Sequence, residues 1–291
     1  MKVSKKEYED LLEYKDYPLM FENWMMDMHD TKVKQSVIDA FQPVTVKDNY
    51  FSEDEIKWMY GYMFSRTGRV RHNANGTVFA SLNLEGVYRK FKDRFDEILP
   101  GAENSPVVGG NFFLTLDQYG LHNDSTREGD WQNTLERTPI NAEMRKYVPW
   151  RNIIIPLWTN PDNVKSDAVF FKQRHVDYAH VYNHGVIPGE ETATTYPTVK
   201  DHSTIDFHLL DGSKQDRELN ALDYDKEHYD EYLYYTPYKR LAGLEQETTC
   251  EWKPGCPIVF DAVQLHATNK GTKDKQWRNK LGLLLCFLRE V

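Results

Sequence analysis

The stretch GNFFLTLDQYGLHNDS, residues 110–125, is where the rhythm of the chain changes. Upstream, apolar residues recur at helical intervals. Downstream, they come in short β-branched and aromatic runs bounded by Pro, Gly, Asn and Asp. Residues 107–116 read as a glycine-containing strand. His122-Asn123-Asp124 follows it, two metal-capable side chains one residue apart at a strand end.

Working outward, strands are expected over 153–158, 168–171, 257–260 and 281–288. Toward the N-terminus, residues 43–51 read as a short strand and turn. Ser52 and Glu55 have capping-box spacing, and Ile56, Met59, Tyr60 and Met63 then follow as one helical face. A second amphipathic helix is expected over 87–99, closed by Pro100 and Gly101. Residues 1–42 look helical in pieces, with Leu11, Leu12, Met20, Phe21, Trp24 and Met25 available for burial. Helices first and strands later make an α+β chain, a helical layer packed on a β-sandwich or barrel.

The chain has 291 residues, 40% hydrophobic and 13% aromatic, a globular composition with enough length for a sizeable core. A net charge of −9 disfavours broad nucleic-acid binding. No apolar run reaches the ~18 residues of a membrane span. Cys250, Cys256 and Cys286 form no CxxC pair, so a reducing, cytoplasmic setting is expected. Residues 174–250 stand apart. They hold 15 acidic and 7 basic residues, a net of −8, and 9 of the 18 tyrosines. Their apolar residues look too scattered for a second core, so they read as an insertion or lid in one domain spanning 1–291. The remaining units are a helical extension (1–42) and a core (43–173 and 251–291). Oligomeric state is not legible.

Two histidines and a carboxylate form the facial triad of non-haem iron sites. Three His-x-Asp triplets occur: His122/Asp124, His175/Asp177 and His228/Asp230. The first is preferred because it follows a strand and precedes two strongly apolar ones. His175 is the rival, ending the run AVFFKQ, and His228 sits in the charged stretch DYDKEHYDEYLYY. The second histidine is His266, in CPIVFDAVQLHATN (256–269). Arg278 and Lys280 come next and share one face of the last strand, placed to meet a carboxylate. A different metal site is conceivable from His175, His180 and His184: a zinc protein or hydrolase, though without HExxH. A non-catalytic β-sandwich binding module is the third reading. GxSxG, P-loop and GxGxxG motifs are absent.

GNFFLTLDQYGLHNDS, RNIIIPLWTN, DAVFFKQ, GCPIVFDAVQLHATN and RNKLGLLLCF, in that order, resemble the double-stranded β-helix (jelly-roll, cupin-like) core of the iron(II)/2-oxoglutarate-dependent oxygenases. The phytanoyl-hydroxylase-like and prolyl-hydroxylase-like branches, with marine phage and bacterial members, are the most similar. The resemblance covers roughly 43–291, the insertion unmatched. It implies Fe(2+) held by His122, Asp124 and His266, and 2-oxoglutarate and O2 as co-substrates. It also implies a basic residue of the last strand, Arg278 or Lys280, on the far carboxylate of 2-oxoglutarate. Tyr119 would line that pocket or belong to the core. Halogenating members of the family carry a small residue in place of the carboxylate, so Asp124 implies hydroxylation, with desaturation or demethylation still open. The acidic insertion suits an amine-containing or cationic small-molecule substrate.

Overall fold

The computed structural model describes residues 31–65, 69–72, 78–81, 84–105, 108–115, 121–124, 147–160, 167–176, 181–182, 198–199, 207–215, 224–234, 241, 243–268 and 280–290. Expectations for residues 1–30, and for Tyr119, Asp177, His180, His184 and Arg278, lie outside the described residues. Of the N-terminal extension, helix α1 (Thr31–Ile38) is described.

Helix α2 (Glu53–Ser65) starts at the expected capping box. The Ser52 N–H donates to Glu55 Oε2 at 2.7 Å, and the Glu55 N–H donates to Ser52 Oγ at 3.3 Å. Its buried face, Trp58, Met59 and Tyr62, packs on the pair that follows. One helix was expected over 87–99. Two occur, α3 (Glu85–Lys90) and α4 (Lys92–Ile98), parted at Phe91. The Phe91 ring meets Phe51 and Trp58 edge-on at 5.8 and 5.3 Å. Backbone bonds from Phe91 to Val87 and from Phe95 to Phe91 survive the break, so the interruption sacrifices little.

Two antiparallel sheets follow. The larger has the order β1 (Thr45–Val46), β10 (Ile258–Asp261), β5 (Tyr147–Thr159), β12 (Lys280–Glu290), β4 (Val108–Thr115), β3 (Val78–Ser81), β2 (Arg69–His72). The smaller has the order β11 (Gln264–Thr268), β6 (Asp167–Arg174), β9 (Gln246–Glu251). A two-residue parallel pair joins β7 (Val181–Tyr182) to β8 (Thr198–Val199). β5 is longer than the expected 153–158, and both its prolines, Pro156 within that range and Pro149 beyond it, sit at irregularities. Its register with β12 shifts between Leu281 and Gly282, opposite Trp158 and Pro156. It shifts again between Phe287 and Leu288, opposite Arg151 and Pro149. A bulge relieves the missing proline N–H and lets the strand continue.

The alternation of β12 organises the layers. Leu281, Leu283, Leu285 and Phe287 face the helices with Ile153, Ile155 and Leu157. Leu284 faces the other way. It joins Ile154, Phe113, Phe260, Ala168 and Phe170 in a second cluster between the two sheets. The outer face of the small sheet is covered as well. Phe207, Tyr224, Leu233, Leu241 and Leu244, all from the acidic stretch, pack on Val169, Phe171, Leu265 and Ala267. The stretch read as too scattered for a second core, 174–250, thus covers one face of the small sheet. β9 also starts inside that range, as an edge strand paired to β6.

Candidate metal centre

The backbones of His122 and His266 pair as an antiparallel bridge. The His122 N–H donates to the His266 carbonyl at 3.0 Å, and the His266 N–H returns the bond at 2.8 Å. Both imidazoles therefore lie on the same face, ring centroids 4.1 Å apart. Two residues on, the Asp124 N–H donates to the Ala262 carbonyl at 3.0 Å, which turns its carboxylate back to the pair. Asp124 Oδ1 lies 3.5 Å from His122 Nε2, and Oδ2 lies 3.5 Å from His266 Nε2. Among the described residues this is the one group of three metal-capable side chains, with ligand atoms all within 4.8 Å of one another.

Neighbouring groups orient the three. His266 Nδ1 is 3.0 Å from the Gln264 carbonyl, so Nδ1 carries a proton and Nε2 is the ring atom turned to Asp124. Phe170 stacks on His266 at 5.6 Å, and Phe260 meets it edge-on at 4.9 Å. Asp124 accepts from Asn152 Nδ2 at 3.0 Å. Burial raises the Asp124 pKa above the usual carboxylate range, opposed by the His266 charge and the Asn152 bond. The Cys286 thiol is pushed well up by burial and then by the Asp124 charge.

Lys280 opens β12 on the face it shares with Leu284 and is 3% exposed. Its ammonium stands 4.3 Å from the Trp252 ring centroid and has no hydrogen-bond partner among the described residues. Burial pushes its pKa down to about 7, against a weaker upward pull from Asp167. Gly282 makes room there. A Cβ at that position would lie 2.6 Å from Phe113 Cζ and 2.7 Å from Trp252 Cζ2.

The rival histidines are elsewhere. His175 is buried, its N–H bonded to the Val263 carbonyl, and stands outside the His122–Asp124–His266 group. Arg174 itself is fully buried, paired with Asp261 at 2.6 Å and Glu247 at 3.1 Å. His228 bonds Tyr224 Oη at 2.8 Å and lies 3.3 Å from Thr249 Oγ1. Asn152 was missed. It is a polar residue at an inward position of the apolar run RNIII, and that misfit was the available signal.

No family model matches the sequence, and no curated protein matches it. Among solved structures the chain is similar to a Pseudomonas putida prolyl-4-hydroxylase, at 12% identity over 89% of this chain and 100% of that one, TM-score 0.40. It is similar to EctD from S. alaskensis with 2-oxoglutarate and 5-hydroxyectoine, at 13% identity over 94% and 81%, TM-score 0.40. HygX from Streptomyces hygroscopicus with nickel and 2-oxoglutarate bound is similar at 11% identity over 89% and 87%, TM-score 0.40. No described helix is long and apolar enough to cross a membrane.

Proposed function

We propose that the chain is an iron(II)- and 2-oxoglutarate-dependent oxygenase, one domain over residues 1–291 with a double-stranded β-helix core. One observation carries the reading: two imidazoles held side by side by a backbone bridge and a carboxylate two residues on meet with ligand atoms within 4.8 Å. That donor set matches the facial triad, which leaves adjacent positions open. The strand itinerary supports the core. The chain visits the large sheet at β4, the small one at His122, the large at β5, the small at β6 and β9, and then alternates through β10, β11 and β12.

The residues fit the implied groups. His122, Asp124 and His266 would hold iron(II). Lys280, a buried cation lacking a hydrogen-bond partner among the described residues, fits the far carboxylate of 2-oxoglutarate. Arg278 is the alternative from the same segment, and Tyr119 would line that pocket. Bound together, iron(II) and 2-oxoglutarate supply the oxidation in which O2 and 2-oxoglutarate become succinate and CO2 and an unactivated C–H bond is hydroxylated. The chain contributes orientation and a dry setting. Gln264 fixes the His266 tautomer, Asn152 steadies Asp124, and Phe170 and Phe260 shield the imidazole. The substrate is a small molecule, and the net charge of −8 over 174–250 favours an amine or other cation. Three free cysteines suit the cytoplasm.

The test is uncoupled turnover. Purified protein with iron(II), ascorbate and 2-oxoglutarate should release succinate. His122→Ala and His266→Ala should abolish this, and His175→Ala should keep it. Loss in the His175 variant alone would mean that the wrong triplet was chosen. One equivalent of zinc lost on His180→Ala, with no succinate from the parent, would sink the oxygenase reading.

A further inference from the structure

The geometry points to Asn152 as a positioning residue that tethers one oxygen of Asp124, so that the carboxylate offers a metal a single oxygen. This rests on the metal-site reading above and specifies what Asn152 does within it. Asn152 lies on β5 directly across from Cys286 of β12, fully buried. Its inward neighbour on the strand is the apolar Ile154. A side chain that only filled this place would be apolar too.

The amide is also half satisfied. Nδ2 donates to Asp124 Oδ2 at 3.0 Å, whereas Oδ1 is buried with no hydrogen-bond partner among the described residues. Turning the amide over would set its oxygen against the carboxylate. Its orientation is therefore dictated by Asp124, at the expense of its own acceptor. A buried unsatisfied oxygen calls for an explanation, and the restraint on Asp124 supplies one. With Oδ2 engaged, the carboxylate resists the rotation that would present both oxygens. A second carboxylate oxygen would close one of the positions that the co-substrates need.

Cobalt(II) titration of the full-length protein, read by visible absorption, tests this alongside apo-protein melting. Asn152→Leu, close in volume, removes the donor and the stranded oxygen together. We expect its cobalt(II) affinity to fall roughly 10–100-fold, with a changed absorption envelope, while its apo melting point stays close to the parent's, since the stranded amide oxygen and the donor to Asp124 are lost together. Asn152→Asp keeps the shape, lacks the donor and should also bind weakly. In an Asp124→Ala background, Asn152→Leu should change cobalt(II) affinity no further. Unchanged affinity and spectrum in Asn152→Leu would overturn the assignment. So would an affinity loss that merely follows a lower apo melting point, since that marks a structural role. If the parent binds cobalt(II) but His122→Ala and His266→Ala bind it equally well, the metal-site reading fails, and this inference with it.

Discussion

Replacing Lys280 with methionine should stabilise the ligand-free protein near neutral pH and remove 2-oxoglutarate binding. The Lys280 ammonium is 3% exposed, has a ring beneath it, and is held at a pKa of about 7 from an ordinary 10.5, chiefly by burial. The folded form binds its proton less tightly than the unfolded form does. The resulting penalty is therefore fully present below pH 7, shrinks as the pH rises, and is gone above the unfolded value of 10.5. A displacement of that size is worth about 5 kcal/mol. The Trp252 contact returns about 1–2 kcal/mol. The net gain from Lys280→Met near pH 7 is then about 3 kcal/mol, or roughly 5–10 °C in melting point for a chain of this size. Urea denaturation of parent and variant from pH 7 to 10 isolates the effect, because the other titrating groups cancel in the difference. The variant should lead at pH 7, and the lead should vanish by pH 10. A difference that stays flat across this range, or a variant less stable at pH 7, would refute the account. Calorimetry of nickel-loaded protein adds the functional half. Near pH 8, 2-oxoglutarate should bind with uptake of roughly one proton, visible as a dependence of the heat on buffer, because a carboxylate partner restores the charge. The methionine variant should show no binding.

Two other substitutions probe the frame. Gly282→Ala places a methyl 2.6–2.8 Å from Phe113 and Trp252, rings held in the inter-sheet cluster. It should lower stability by about 1–3 kcal/mol and raise the KM for 2-oxoglutarate, read by melting and by succinate assay. Asp261→Asn leaves Arg151 and Arg174, both at most 1% exposed, without their shared carboxylate. It should cost about 3–5 kcal/mol in urea denaturation at pH 7, and a loss below about 1 kcal/mol would mean that Glu247 and the Gln42 and Pro43 carbonyls suffice.

Local chemistry was legible in the sequence wherever it acts over a few residues. The Ser52–Glu55 box and the strand over LGLLLCFL are both realised, because capping and strand formation draw on near neighbours. What could not be seen was set by distant partners. Residues 147–152 were not seen as part of β5, which continues past Pro149 because β12 lies alongside and absorbs the shifted register. The tyrosines and leucines of the acidic stretch looked scattered until the small sheet offered them a face.

The triad shows the same division. The triplet itself does not separate His122 from His228, since each is followed two residues later by Asp, and only the flanking runs favour the first. The difference lies in what the backbone pairs with. His122 exchanges two hydrogen bonds with His266, which puts two imidazoles on one face and brings Asp124 round beside Ala262. His228 sits at the end of a short helix, its ring between Tyr224 and Thr249. Spacing supplies ligands that can reach a common point. Strand pairing decides which of them do, and the pairing partner of residue 122 is written in the register of residues 262–266.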